Sequence, residues 1–167
     1  MAAPQRAPCG ARTRQRGMML IEALMAVLIF LLGIVGMVGV SALAVTSQSD
    51  AQYRTDANKF ATQILNQIWV SVNRLGSAAD MTTSLNSFKH QENGADCNFA
   101  AAEGAAATDP AVALWVAAVR AGGTGLPGAD ATMQQIVVAG NVVTVTVCWK
   151  APGDLVARRH VMMSMVN

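Results

Sequence analysis

The chain has 167 residues, 53% of them hydrophobic and 13% charged, with 12 Lys and Arg against 10 Asp and Glu. That length holds one membrane segment and one modest globular domain, not two full domains. Arg6, Arg12, Arg14 and Arg16 all precede Gly17 with no acid among them; without these four, eight basic residues face ten acidic ones, a net of −2, so no clustered basic face remains and direct nucleic-acid binding is set aside.

Residues 1–17 read as a basic leader. From Ala23 to Val45 the only clearly polar side chain is Ser41, and at 1.5 Å per residue such a helix crosses the ~30 Å hydrocarbon core of a bilayer. The arginines before it, with no comparable cluster just after Val45, place the amino terminus in the cytoplasm and everything after about Thr46 on the other side. At the head of this run stands Glu22. A carboxylate inside a membrane helix costs about 2.5–3.5 kcal/mol on insertion scales, so it calls for a partner. Ala42-Leu43-Ala44 also matches an A-x-A secretory cleavage site, but the apolar run exceeds the roughly 7–15 residues of a signal-peptide core. A plain signal anchor accounts for the length and leaves Glu22 unexplained. Gly33, Gly36 and Gly39 each cost about 1 kcal/mol against Ala in a helix interior; they predict either a soft segment or a close-packing face of the kind membrane helices use.

From Ser49 to Leu75 the pattern turns amphipathic, with Phe60, Ile64, Ile68, Val72 and Leu75 recurring at three- and four-residue intervals. This predicts the same helix continuing over residues 46–75 with a buried stripe, and Trp69 beside it. Asp50, Arg54, Asp56 and Lys59 fall on a solvated side, where Asp50 and Arg54 form an i,i+4 pair. Gly76 to about Thr108 is rich in Ser, Asn, Asp, Gly and Ala without a sustained period, and reads as a long connection. Asp109-Pro110 supplies a cap and a first-turn proline, and Gly122-Gly123 a stop, for a short helix from Pro110 to about Ala121 with Leu114 and Trp115 buried and Val119 nearby. Met133 to Ala139 and Val142 to Trp149 read as strands joined by Gly140-Asn141. Pro152-Gly153-Asp154 turns the chain into a third strand, Val156 to Val166, with Val161, Met163 and Met165 aligned. The expected fold class is α+β: a long amino-terminal helix packed on a small antiparallel sheet, with residues 76–167 as the globular part.

Cys9 lies in the leader, while Cys97 and Cys148 lie beyond the membrane segment, where two thiols suggest an oxidising compartment. Strand alternation separates Cys148 from the face of Val143, Val145, Val147 and Trp149 and sets it within reach of an overlying loop. A Cys97–Cys148 disulfide is expected, its closure of about fifty residues stabilising the domain by roughly 4 kcal/mol in the chain-entropy model; two buried free thiols are the alternative. His90 and His160 are isolated, no HExxH or CxxC occurs, Ser77 and Ser84 lack triad context, and Gly122-Gly123-Thr124-Gly125 lacks the Lys-Ser/Thr of a phosphate loop. No enzymatic activity, metal or cofactor is expected.

Gly17-Met18-Met19-Leu20-Ile21-Glu22 resembles the class III signal of type IV prepilins, in which a basic leader ends in Gly and the fifth residue after it is Glu. GMMLIEALMAVLIFLLGIVGMVGV, followed from Asp50 by DAQYRTDANKFATQILNQIW, is similar to the PilV branch of minor pilins over roughly the first 75 residues. The resemblance implies cleavage between Gly17 and Met18 by the prepilin peptidase, methylation of the new amino terminus at Met18, and a docking role for Glu22. Cleavage supplies the missing partner, an ammonium group one helical turn from the carboxylate, within the chain or on a neighbouring subunit. Position 18 is Met where Phe is usual in the family. The implied partners are other minor pilins, the major pilin and the inner-membrane assembly platform. The implied location is the inner membrane as a single-pass protein with a periplasmic domain, then a pilus supporting adhesion, twitching motility or DNA uptake. A type II secretion pseudopilin shares this amino-terminal chemistry, and a secreted or membrane-anchored binding domain remains a different class of reading.

Overall fold

The computed structural model describes residues 18–99 and 104–167; Gly17 and Cys9 lie outside them. Helix α1 (Met18–Ser71) runs for 54 residues without interruption, including the stretch with Gly33, Gly36 and Gly39. The chain divides into two compact units at Thr46/Ser47.

In the first unit the described residues from Met18 to Thr46 are exposed. The segment is long and apolar enough to cross a membrane by length and composition. An unburied helix hydrophobic on all sides has no aqueous solution to its own surface free energy, because nearly every turn exposes Leu, Ile, Val, Met or Phe.

In the second unit α1 becomes one-sided. Ala57, Ala61, Ile64, Leu65, Ile68 and Val72 are buried, the repeat that a 3.6-residue helix turns toward a single face. They meet a three-stranded antiparallel sheet in the order β1 (Gln134–Ala139), β2 (Val142–Trp149), β3 (Arg158–Met165). The β1–β2 register pairs Ile136 with Val145 and Val138 with Val143, so both strands turn aliphatic residues to the same side. Val143, Val145, Val147 and Trp149 are buried there, each full burial of a Val- or Leu-sized side chain contributing about 1.5–3 kcal/mol. Gly140, at φ +63°, makes the tight turn between β1 and β2, a conformation open to glycine at little cost. At the other end of that hairpin the buried Gln134 amide donates to the Cys148 carbonyl at 3.0 Å and accepts the Cys148 N–H at 3.3 Å.

Several expectations need correction. The connection over 76–108 contains a helix, α2 (Ala78–Asn86), started by a capping box: Ser77 Oγ accepts the Asp80 N–H at 3.3 Å and Asp80 Oδ2 accepts the Ser77 N–H at 2.8 Å. Four residues of S-x-x-D carry that signal, too few to show as periodicity. The long helix stops at Ser71, and Leu75 is fully exposed, because the Asn73 N–H leaves the helical ladder for Ser84 Oγ at 3.2 Å. Helix α3 (Pro110–Val119) is capped by Asp109, whose Oδ1 accepts the Ala111 N–H at 2.8 Å. Its buried side is Val112, Trp115, Val116 and Val119, while Leu114, about 200° around the axis from Val112, faces water. Strand β1 begins one residue later than predicted, after a 3₁₀ turn at Ala131–Met133. In β3 the register opposes Met162 to Val145 and Ser164 to Val143. That register turns Val161, Met163 and Met165 to the exposed face of the sheet.

Candidate functional site

In the first unit Glu22 sits in the second turn of α1, flanked at three- and four-residue spacing by Met18, Met19, Met25 and Ala26, so no side chain at those positions bears a compensating charge. Met18 is the first described residue and is exposed; its neighbour Gly17, the other half of the predicted cleavage site, lies outside the described residues. Beyond Glu22, Leu24, Val27, Leu28, Leu31, Leu32 and Val35 form one continuous aliphatic face. Farther on, a Cβ added at Gly33, Gly36 or Gly39 would meet nothing within 4 Å, so these positions offer the flattest stretch of helix surface to another backbone. The unit thus combines one acid, a greasy ridge and a glycine flat on a single rod.

In the second unit, the Cys97 and Cys148 sulfurs are 2.03 Å apart, with Cα atoms separated by 5.8 Å. Both residues are buried with Phe99, beside Met133 and Ala157, in a small cluster distinct from the main core. Cys148 points away from the valine face of β2, as strand alternation requires, and the chain around Cys97 lies across that second face. Asp96 and Cys97 have φ of +53° and +62°, a left-handed stretch that two non-glycine residues adopt at a cost.

A second junction ties α1 to the start of β3. Asp154 holds Arg158 bidentately, with Nε to Oδ2 at 2.8 Å and Nη2 to Oδ1 at 2.9 Å. Arg158 Nη1 reaches Asp50, whose other oxygen accepts from Arg54 Nε at 3.3 Å. The Asp50–Arg54 pair was legible from spacing; the longer-range partner was not, since 108 residues separate Asp50 from Arg158. A third tie is Trp115 Nε1, donating to the Phe60 carbonyl at 2.9 Å. Trp69, at the rim of the stripe, donates to Ser164 Oγ at 2.9 Å and takes the Arg74 guanidinium over its ring at 4.9 Å.

His90 is buried. Its Nδ1 accepts the Ala107 N–H at 3.2 Å, and its backbone exchanges two hydrogen bonds with Ile136 at 2.9 and 3.0 Å. Burial in apolar surroundings lowers its pKa below the usual imidazole value. The loop after α3 donates its own backbone groups to close that helix, Gly125 N–H to Ala121 O at 2.7 Å and Leu126 N–H to Val119 O at 2.8 Å, which leaves these amides no role in cradling a phosphate. Among the described residues no three His, Cys, Asp or Glu side chains converge on a point where a metal ion would sit. No protein-family model, characterised protein or solved structure matches this chain.

Proposed function

We propose that this chain is a minor pilin: a membrane-inserted precursor cut between Gly17 and Met18, methylated at Met18, and drawn by α1 into a type IV pilus. The observation that carries the proposal is the isolation of Glu22, a single acid at the head of an apolar run that is otherwise uncharged as far as Val45, five residues beyond the glycine that ends an arginine-rich leader. An ion in hydrocarbon is tolerated when a counter-charge meets it, and the ammonium group freed at Met18 is that counter-charge, on this subunit or the next. The aliphatic ridge and glycine flat of α1 suit a helix that leaves lipid for a bundle of like helices, since van der Waals contact replaces lipid contact at little cost. In this role the protein primes assembly or occupies the tip, with other minor pilins, the major pilin, the prepilin peptidase and the assembly platform as partners.

Amino-terminal sequencing of the membrane-extracted protein is the first test. A chain beginning at methylated Met18 supports the pilin; one beginning at Val45 means secretion of a free domain, and an intact leader means a simple anchor. Glu22→Ala then separates docking from processing: the variant is cut normally but enters filaments poorly. Normal incorporation refutes the docking role. Scoring a deletion strain for surface pili and for protein secretion distinguishes a pilus subunit from a pseudopilin.

A further inference from the structure

The loop that carries Cys97 holds the only Asn-Gly step in the sequence, Asn93-Gly94, and both residues are exposed. Asparagine before glycine is a labile pair: the side-chain amide carbon lies within five-membered-ring reach of the next backbone nitrogen, and a successor without Cβ leaves that nitrogen open to approach. Burial, or a hydrogen bond that engages either group, opposes the reaction. Here the fold supplies neither. Among the described residues no hydrogen bond engages the Gly94 N–H or the Asn93 side chain, although the backbone around them is in use: Gln91 N–H donates to Ala105 O at 2.9 Å, Asn98 N–H to Ala95 O at 3.0 Å and Phe99 N–H to Thr132 O at 3.0 Å.

The fold also makes the glycine obligatory. Gly94 has φ +105°, and a Cβ there would lie 2.8 Å from Phe99 Cα and 2.9 Å from the Asn98 carbonyl oxygen, so no larger residue can take its place and shield the nitrogen. The segment is anchored on both sides of the pair. Gln135 Nε2 donates to the Gln91 carbonyl at 3.0 Å, and Cys97 is bonded to Cys148. Between these anchors stand Glu92, paired with Lys89 at 3.0 Å, and Asp96, so residues 92–96 carry a formal charge of −2.

We infer that Asn93 is a self-modification site, which deamidates in the folded, disulfide-closed domain. The Gly94 nitrogen gives its proton to water and attacks Asn93 Cγ; a Cγ–N bond forms, the Cγ–Nδ2 bond breaks, and the side-chain nitrogen takes up a proton and leaves as ammonia. The product is a succinimide. Water then adds to one of its two carbonyl carbons and breaks that carbon's bond to the Gly94 nitrogen. Attack at Cγ gives aspartate at position 93; attack at the main-chain carbon gives the isoaspartyl isomer, whose backbone runs through Cγ and is one carbon longer. No electrons are exchanged, and water is the only co-reactant. Either product takes residues 92–96 from −2 to −3, so an exposed loop of the domain becomes more acidic as the protein ages. The inference stands on the second unit alone and does not depend on the pilin reading.

The test incubates the full, unreduced chain in mild detergent at mildly alkaline pH, digests it at acidic pH, and follows the mass gain of amide-to-acid conversion at each asparagine. Asn98 and Asn141 are also exposed but precede Phe99 and Val142, and serve as internal references. The expected result is conversion at position 93 many-fold faster than at either reference, with one heavy oxygen taken up from labelled water and both aspartyl and isoaspartyl peptides recovered. Asn93→Gln, an exposed substitution, should remove the signal from this peptide. Conversion at position 93 no faster than at the references overturns the site. Conversion that appears only when the same chain is unfolded in urea also overturns it, because the folded loop would then be shielding the pair.

Discussion

Removing the Cys97–Cys148 crosslink is the sharpest perturbation of the folded domain. The bond joins positions 51 residues apart, so opening it restores to the unfolded chain a loop whose closure entropy is about 4 kcal/mol at room temperature. Two structural terms bracket that figure. Cys148 is fully buried and Cys97 nearly so, and replacing both by Ala leaves a void worth up to about 1 kcal/mol more. Against this, Asp96 and Cys97 sit at positive φ, and relaxing them recovers about 1 kcal/mol each. The Cys97→Ala/Cys148→Ala variant should therefore lose about 2–5 kcal/mol, out of the roughly 5–15 kcal/mol that holds such a domain folded. Urea unfolding of the full chain in mild detergent measures this through Trp115 and Trp149, which are buried inside the domain. The midpoint should fall by roughly 1–2 M, and the denaturant slope should rise because the uncrosslinked chain exposes more surface. A loss below about 1 kcal/mol with an unchanged slope would show that packing around Phe99, and not chain entropy, holds this segment in place.

Two further outcomes are expected. His90 is neutral in the folded state and its pKa lies below the unfolded value near 6.5, so its stability contribution is complete above about pH 6.5 and declines as the pH falls toward the folded pKa, where the protonated ring loses the Ala107 hydrogen bond. Urea midpoints taken from pH 7.5 to 5 should fall for the wild type and fall less for His90→Asn; parallel curves would remove His90 from the account. On α3, Val112→Ala should cost about 1–3 kcal/mol by opening the core, whereas Leu114→Ala, on the exposed face, should stay within about 0.5 kcal/mol. Equal costs in the same unfolding assay would mean that the buried side of this helix has been misassigned.

What was legible in the chain alone is what one or two neighbouring turns decide. The apolar run and its single acid, the change to an amphipathic pattern after Val45, the caps at Asp109-Pro110 and the alternation in β2 all arise from contacts between residues close in sequence, where the 3.6- and 2-residue periods hold without outside help. Helix α2 had its signal in Ser77 and Asp80, but its nine residues, AADMTTSLN, bury only Leu85 and show no period to find. The tertiary structure alone decided which apolar residues are left outside. Leu75, Leu114, Val161 and Met163 are as hydrophobic as their buried neighbours, and their exposure follows from where Ser84 ends α1, which face of α3 meets the helix, and how β3 registers on β2. Those choices depend on partners that the chain brings together from far apart, as Asp50 and Arg158 are, and no local pattern encodes them because the free energy of burial belongs to the assembled core and not to any one segment.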